Sequence, residues 1–247
     1  MPKHPFGVLI IHGFTASLDC VREIEPPLKA LGLPTRMPVL RGHGAESPEA
    51  LRGVKWQDWF ADAEAALKDL LTVANKAIII GHSMGGLMTL LLAGKYAAHI
   101  DSIIVAAAAV QLTSPMAPGR PLHFIAPIVT RILKKWDMPP VYADPTLAQY
   151  DTNYAYAPMD AVKTLLDCSK YTRTQLDKVT VPTLIIHSHK DTSVAEKSVA
   201  IIHDSIATPA ADKKIAWFDQ TEHEMFRDCE RYAIIDVIKE YVKGRIG

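Results

Sequence analysis

Ser83 sits at the centre of Gly81-His82-Ser83-Met84-Gly85, a glycine-x-serine-x-glycine run. A serine hydroxyl is a weak nucleophile. It becomes a strong one when a base within hydrogen-bond reach takes its proton and a third group orients that base. Such a set transfers acyl groups through a covalent ester on the serine. Two residues farther along complete it. Asp191 follows the apolar stretch Ile185-Ile186-His187 in Ser188-His189-Lys190-Asp191-Thr192, and His223 follows Trp217-Phe218 in Gln220-Thr221-Glu222-His223-Glu224. The chain order is therefore nucleophile, acid, base. Asp219 is the rival acid, but it stands only four residues before His223, and that short separation aims it elsewhere. Among the other histidines, His12 and His43 lie in glycine turns and read as structural or pocket-lining. His82 leaves the turn in another direction, and His187 and His189 come too early. A metal on His187, His189 and Asp191 matches no zinc spacing, so no metal is expected.

These side chains need a scaffold that brings them to one edge. Residues 76–80 read as a short apolar strand, residues 81–85 as a tight turn, and residues 84–97 as a helix. This strand–turn–helix context makes a glycine-x-serine-x-glycine run meaningful. Glycine on either side of the serine lets strand and helix backbones approach where a Cβ would collide. The helix start also favours negative charge near the serine. Further strands are expected at residues 6–11, 35–40, 102–110, 181–187 and 214–218. Helices are expected at 56–72, 159–178, 196–206 and 224–243, with Phe226, Cys229, Ala233, Val237 and Tyr241 as the buried stripe of the last. The alanine-rich end of the 102–110 strand leaves room for something packed above it. Strands alternating with helices imply an α/β fold, a mostly parallel central sheet flanked by helices. Residues 111–158 break the alternation with eight prolines, at 115, 118, 121, 127, 139, 140, 145 and 158, and short helical pieces such as 124–136. They read as a small inserted cap, so the core is residues 1–110 and 159–247.

Composition narrows the class. Lysine plus arginine and aspartate plus glutamate are both 27, so no basic footprint for nucleic acid is present. Three separated cysteines, Cys20, Cys168 and Cys229, show no ligand spacing and point to free thiols in a reducing, cytoplasmic setting. The apolar stretch near the N-terminus is too short for a membrane span. Integral membrane association is not expected, and oligomeric state is not readable.

Acyl transfer also needs donors for the developing oxyanion. The backbone N–H of Met84, just after the serine, is one. The second is assigned to the N–H of Phe14 in His12-Gly13-Phe14-Thr15, a turn after an earlier strand. With these pieces in place the chain resembles the α/β-hydrolase superfamily, and within it the bacterial carboxylesterase and monoacylglycerol lipase group. The resemblance rests on the triad motifs, on His12-Gly13-Phe14-Thr15, on Leu40-Arg41-Gly42-His43-Gly44 and on the Trp56-x-x-Trp59 helix start. It implies ester hydrolysis without cofactor: Ser83 attacks, His223 moves the proton, Asp191 orients the imidazole, and Phe14 and Met84 hold the oxyanion.

The cap bears on substrate. Pro121-Leu122-His123-Phe124-Ile125-Ala126-Pro127-Ile128-Val129 is apolar for a surface segment. Phe124, Ile128 and Trp136 are the candidate acyl contacts, although burial of the cap against the core explains such side chains equally well. The expected partner is a small-molecule ester with a short to medium acyl chain, monoacylglycerols included. Transient contact of the cap with lipid stays open. An acyl-thioesterase or amidase, another hydrolase chemistry on the same triad, and a non-catalytic ligand-binding protein are the alternatives.

Overall fold

The three isoleucines before the Ser83 turn lie at the middle of a six-stranded sheet in the computed structural model, which describes residues 2–247 without the side chains of residues 126 and 127. In chain order the strands are β1 (His4–Ile11), β2 (Thr35–Arg36), β3 (Ala74–His82), β4 (Ile100–Ala106), β5 (Lys135–Asp137), β6 (Tyr156–Pro158), β7 (Thr183–Ser188) and β8 (Lys213–Phe218). The large sheet runs β2-β1-β3-β4-β7-β8 with every pairing parallel. The helices are α1 (Glu25–Lys29), α2 (Trp56–Val73), α3 (Met84–Tyr96), α4 (Ala126–Ile132), α5 (Met159–Arg173), α6 (Lys197–Ser205) and α7 (Arg231–Ile246).

The strands read as continuous apolar runs because helices cover both faces. Alternate residues serve opposite cores. Leu9, Ile11, Ile79, Ile103 and Ile185 face Leu67 and Leu70 of α2, Leu87 of α3 and Ile202 of α6. Val8, Ile10, Ile78, Ile80, Ile104 and Ile186 face Leu28 of α1 and Ile234, Ile238 and Val242 of α7. Parallel strands also bring every β-to-α turn to one edge, where Gly13, Ser83 and Asp191 emerge.

Several expected boundaries move. The expected 35–40 strand pairs only at Thr35–Arg36. The expected 102–110 strand stops at Ala106, because Ala107 turns to φ 45° and the chain curls beneath the Ser83 turn, where the Ala109 N–H donates to the Ser83 carbonyl at 3.1 Å. The room left by the alanines is filled by that turn, since a Cβ on Gly86 would lie 2.6 Å from that of Ala108. The expected 124–136 helix is shortened to α4, and residues 135–137 instead form β5, antiparallel to β6. Residues 111–158 add no strand to the large sheet. The last helix starts at Arg231, not 224, and its buried stripe is Ile234, Ile235, Ile238 and Val242. Glu224, Arg227 and Asp228 are tied to residues 143–153 by hydrogen bonds and an ion pair, and Asp228 also accepts the Cys229 N–H, which together fix a non-helical path. Among the described residues no helix is long and apolar enough to cross a membrane.

Candidate active site

Ser83 links β3 to α3 with φ 54° and ψ −113°, a region that residues with a Cβ rarely occupy. The surroundings hold it there. Its N–H donates to Ala106 at 2.9 Å, and its carbonyl accepts from Gly86 at 3.0 Å and from Ala109. A Cβ at Gly81 would strike the Gly85 carbonyl and Thr89, and one at Gly85 would strike the Ile11 carbonyl. The flanking glycines are thus required by contact with the helix and with β1.

Asp191 and His223 approach from the ends of β7 and β8. The His223 Nδ1–H donates to Asp191 Oδ2 at 2.9 Å, and the Ser83 hydroxyl donates to His223 Nε2 at 3.0 Å. The carboxylate accepts only, so it holds the ring proton on Nδ1 and leaves the Nε2 lone pair for the serine. Asp191 Oδ1 is itself fixed by the N–H groups of Ser193 at 2.9 Å and Val194 at 2.8 Å. Burial works against charge on His223, but the Asp191 carboxylate, with Glu224 and Glu222, more than offsets it and raises the ring above its ordinary range. Burial likewise works against charge on Asp191, and His223, with the Val194 N–H and His187, more than offsets it and lowers the carboxyl. Asp219 is exposed and faces His189 at 3.9 Å, not His223. His187, His189 and Asp191 do not converge: His189 stacks on Trp217 at 4.3 Å and pairs with Glu196. Among the described residues no group of three or more His, Cys, Asp or Glu could hold a metal ion.

The His12-Gly13-Phe14 turn lies against the serine; a Cβ on Gly13 would sit 3.4 Å from that of Ser83. Met84 is the first residue of α3, where an N–H has no intrahelical acceptor. The Phe14 N–H likewise donates to no group among the described residues. His12 and His43 are buried behind this turn. The Leu40 N–H donates to His12 Nε2 at 3.0 Å, so the His12 Nδ1–H donates to the Gly13 carbonyl at 2.8 Å. Phe14, His43 and Trp59 pack edge to face at 5.7–6.1 Å. His82 is buried too; its Nε2–H donates to the His223 carbonyl at 2.9 Å.

These three buried rings predict acid sensitivity. Burial lowers His12 to about 4 and His43 and His82 to about 3. Unfolded rings take up protons below about 6.5. Between that value and the folded ones the unfolded chain holds more protons, so stability falls as pH falls. Each ring contributes about 1.4 kcal/mol per pH unit. Glu224 opposes them: burial raises it to about 7, so its proton favours the folded state below that. The buried His187, also lowered, adds to the three rings, and His223, held above its ordinary range, opposes them above about 6.5, so the expected net sign is a fall in stability toward acid. Denaturant unfolding at pH 7 and pH 5.5 measures it, and His43→Gln should flatten it. Equal stability at both pH values would contradict the assignment.

A small cavity reaches Ser83 and His223, and a larger one adjoins it. The small one, of about 90 Å³, is lined by Ser83, His223, Phe14, Asp151, Asn153 and Glu224. The larger one, of about 550 Å³, is lined by Leu122, Ile125, Val129, Trp136, Met138 and Leu165 among others. Phe14, Met138 and Leu165 border both. Trp136 is therefore at the larger cavity, but Phe124 and Ile128 are not. They are 74% and 60% exposed and form an outer stripe with Ile132, four residues apart. Helical phase is the reason, because residues 125 and 129 occupy the inward face and residues 124, 128 and 132 the outer one. Sequence reasoning passed over Glu224 and Asn153. The Asn153 side-chain N–H donates to Glu224 Oε1 at 2.9 Å, while Asn153 Oδ1 and Glu224 Oε2 are buried without partners among the described residues. Isolated polar residues of this kind carry no spacing signal.

The chain and its fold have counterparts among known proteins. The family model described as serine aminopeptidase, S33, matches residues 3–230. A carboxylesterase of Bacillus subtilis is 25% identical, with 96% of this chain and 92% of that protein covered. A thermostable monoacylglycerol lipase of Bacillus sp. strain H-257 is 26% identical, with 98% and 92% covered. A solved structure from work on LipS and LipT, two metagenome-derived lipolytic enzymes, superposes with a TM-score of 0.88 at 23% identity. It covers 98% of this chain and 95% of that one.

Proposed function

This chain belongs to the serine aminopeptidase S33 family of α/β-hydrolases, and from that premise we propose that it is a serine carboxylesterase acting on short to medium acyl esters. The observation that carries the reading is the continuous hydrogen-bonded line from Asp191 through His223 to Ser83, opening on a small cavity that has Asn153 and Glu224 in its lining and adjoins a larger apolar one.

Ser83 Oγ attacks the ester carbonyl while His223 Nε2 takes its proton. The carbonyl oxygen becomes an oxyanion held by the Phe14 and Met84 N–H groups. The C–O bond to the alcohol breaks as His223 returns the proton to the leaving oxygen. Water then gives a proton to His223 and attacks the acyl-serine, and the carboxylic acid leaves as Ser83 regains its hydrogen. Asp191 keeps the imidazole in the useful tautomer and stabilises its charged form. Residues 111–158 act as the cap.

The acyl chain occupies the large apolar cavity beneath the cap, and the alcohol occupies the small one. Monoacylglycerols fall within this class, because the unpartnered oxygens of Asn153 and Glu224 suit a hydroxyl-bearing alcohol. p-Nitrophenyl esters of increasing acyl length, beside a thioester and an anilide of equal length, test the proposal. Rates should peak between butyrate and octanoate, with the ester ahead of both analogues. A steady rise toward palmitate, or faster thioester or anilide cleavage, would contradict it.

A further inference from the structure

The loop that carries His223 also grips the cap. Glu224 accepts from Asn153, and the Arg227 guanidinium bonds the Tyr150 carbonyl and lies 3.4 Å from the Asp151 carboxylate. The strongest link is Asp228, which is completely buried. Its Oδ2 accepts the Ala143 N–H at 2.7 Å and the Glu222 N–H at 2.7 Å. Its Oδ1 accepts the Asp144 N–H at 3.2 Å and the Cys229 N–H at 2.8 Å. A carboxylate only accepts, and N–H donors are what stabilise its buried charge. Here they come from the cap arm (Ala143, Asp144), from the residue beside the base (Glu222), and from the start of the last connection (Cys229).

Glu222 passes this constraint on. Its own carboxylate accepts the His223 N–H at 2.9 Å and the Thr192 N–H at 3.0 Å. The backbone that Asp228 holds therefore belongs to the residue that ties the base loop to the acid loop. Moving the cap arm would remove two of the four amides and leave the buried carboxylate held by Glu222 and Cys229 alone, in the loop that carries His223.

We infer that Asp228 is a positioning residue, locking the His223 loop to the 142–153 arm of the cap so that the base reaches Ser83 only while that arm is seated. The inference rests on His223 being the base, which loss of turnover in His223→Ala establishes separately. An inactive wild type would end that reading before this one is reached.

Asp228→Asn keeps the shape but places an amide donor against two of the four N–H groups. The test uses p-nitrophenyl acetate, whose small acyl group makes little use of the cap, at a temperature well below the unfolding midpoint of each variant. Misplacement of the base should lower kcat by about a hundredfold, with KM little changed. The low-field proton resonance of the His223 Nδ1–H should broaden. Unchanged kcat with a sharp resonance, or a loss confined to KM or to the unfolding midpoint, would overturn the inference. Ala143→Pro removes one cap amide and leaves Asp228 intact, so it decides the matter if Asp228→Asn does not fold. A fall in kcat is expected there too, and an unchanged kcat in folded Ala143→Pro would overturn the link to the cap.

Discussion

Ser83→Ala is expected to lower kcat on p-nitrophenyl butyrate by about a millionfold while leaving the fold intact. The hydroxyl bonds His223 and no other group among the described residues. Alanine keeps the Cβ, so the backbone cost at φ 54° is the same as for serine. The hydrogen bonds that hold the turn come from the backbone of residue 83 and survive the change. What disappears is the nucleophile, and water held by the remaining donors replaces it poorly. Thermal unfolding should move little. A variant that folds as the wild type and retains a tenth of its activity would remove Ser83 from the mechanism.

Asp191→Asn is expected to lower kcat by about ten-thousandfold with a smaller effect on KM. The oxygen that accepts from Ser193 and Val194 fixes how the asparagine sits. Its amide then faces His223 Nδ1 and donates to it, driving the ring proton to Nε2. There it points at Ser83, and the lone pair that must take the serine proton is gone. The pH dependence follows with a definite sign. His223 must be neutral to act as base, so kcat/KM rises with pH through its folded pKa. Asp191 holds that pKa above the ordinary range against the opposing effect of burial. The wild-type acidic limb should thus lie above about 6.5. In the variant the carboxylate is gone while burial remains, and the limb should move toward acid. Profiles of kcat/KM against pH for both proteins measure this; an unmoved limb would contradict the pairing.

Much of the core was legible because its signals are local or periodic. A triple isoleucine followed by a glycine-flanked serine can make only a few structures, and the parallel sheet required strand ends at one edge. That requirement pointed to Asp191 and His223, while Asp219, which the structure turns toward His189, was set aside for standing only four residues before His223. Residues 111–158 were legible as an interruption of the alternation but not in detail. Prolines and short helical turns leave the phase of residues 124–132 undetermined, so Phe124 and Ile128 read as acyl contacts although they face outward. Residues 224–230 were misread as helix because their apolar spacing fits one. Hydrogen bonds to a segment some eighty residues away override that preference. Asp228 left no trace in the pattern, since a carboxylate held by four backbone amides depends on chain paths and not on neighbouring residue types. The same is true of Glu224, whose burial beside the base raises its pKa to about 7.

The most direct test of the central claim is intact mass after incubation with a fluorophosphonate, followed by peptide mapping. Activation of Ser83 by His223 predicts one covalent phosphonyl adduct on the wild type, located on Ser83, with hydrolysis lost in step. The Ser83→Ala and His223→Ala proteins should stay unmodified. A folded wild type that takes up no adduct, or takes it up at another residue, would contradict the assembly of Ser83, His223 and Asp191 as a working acyl-transfer site.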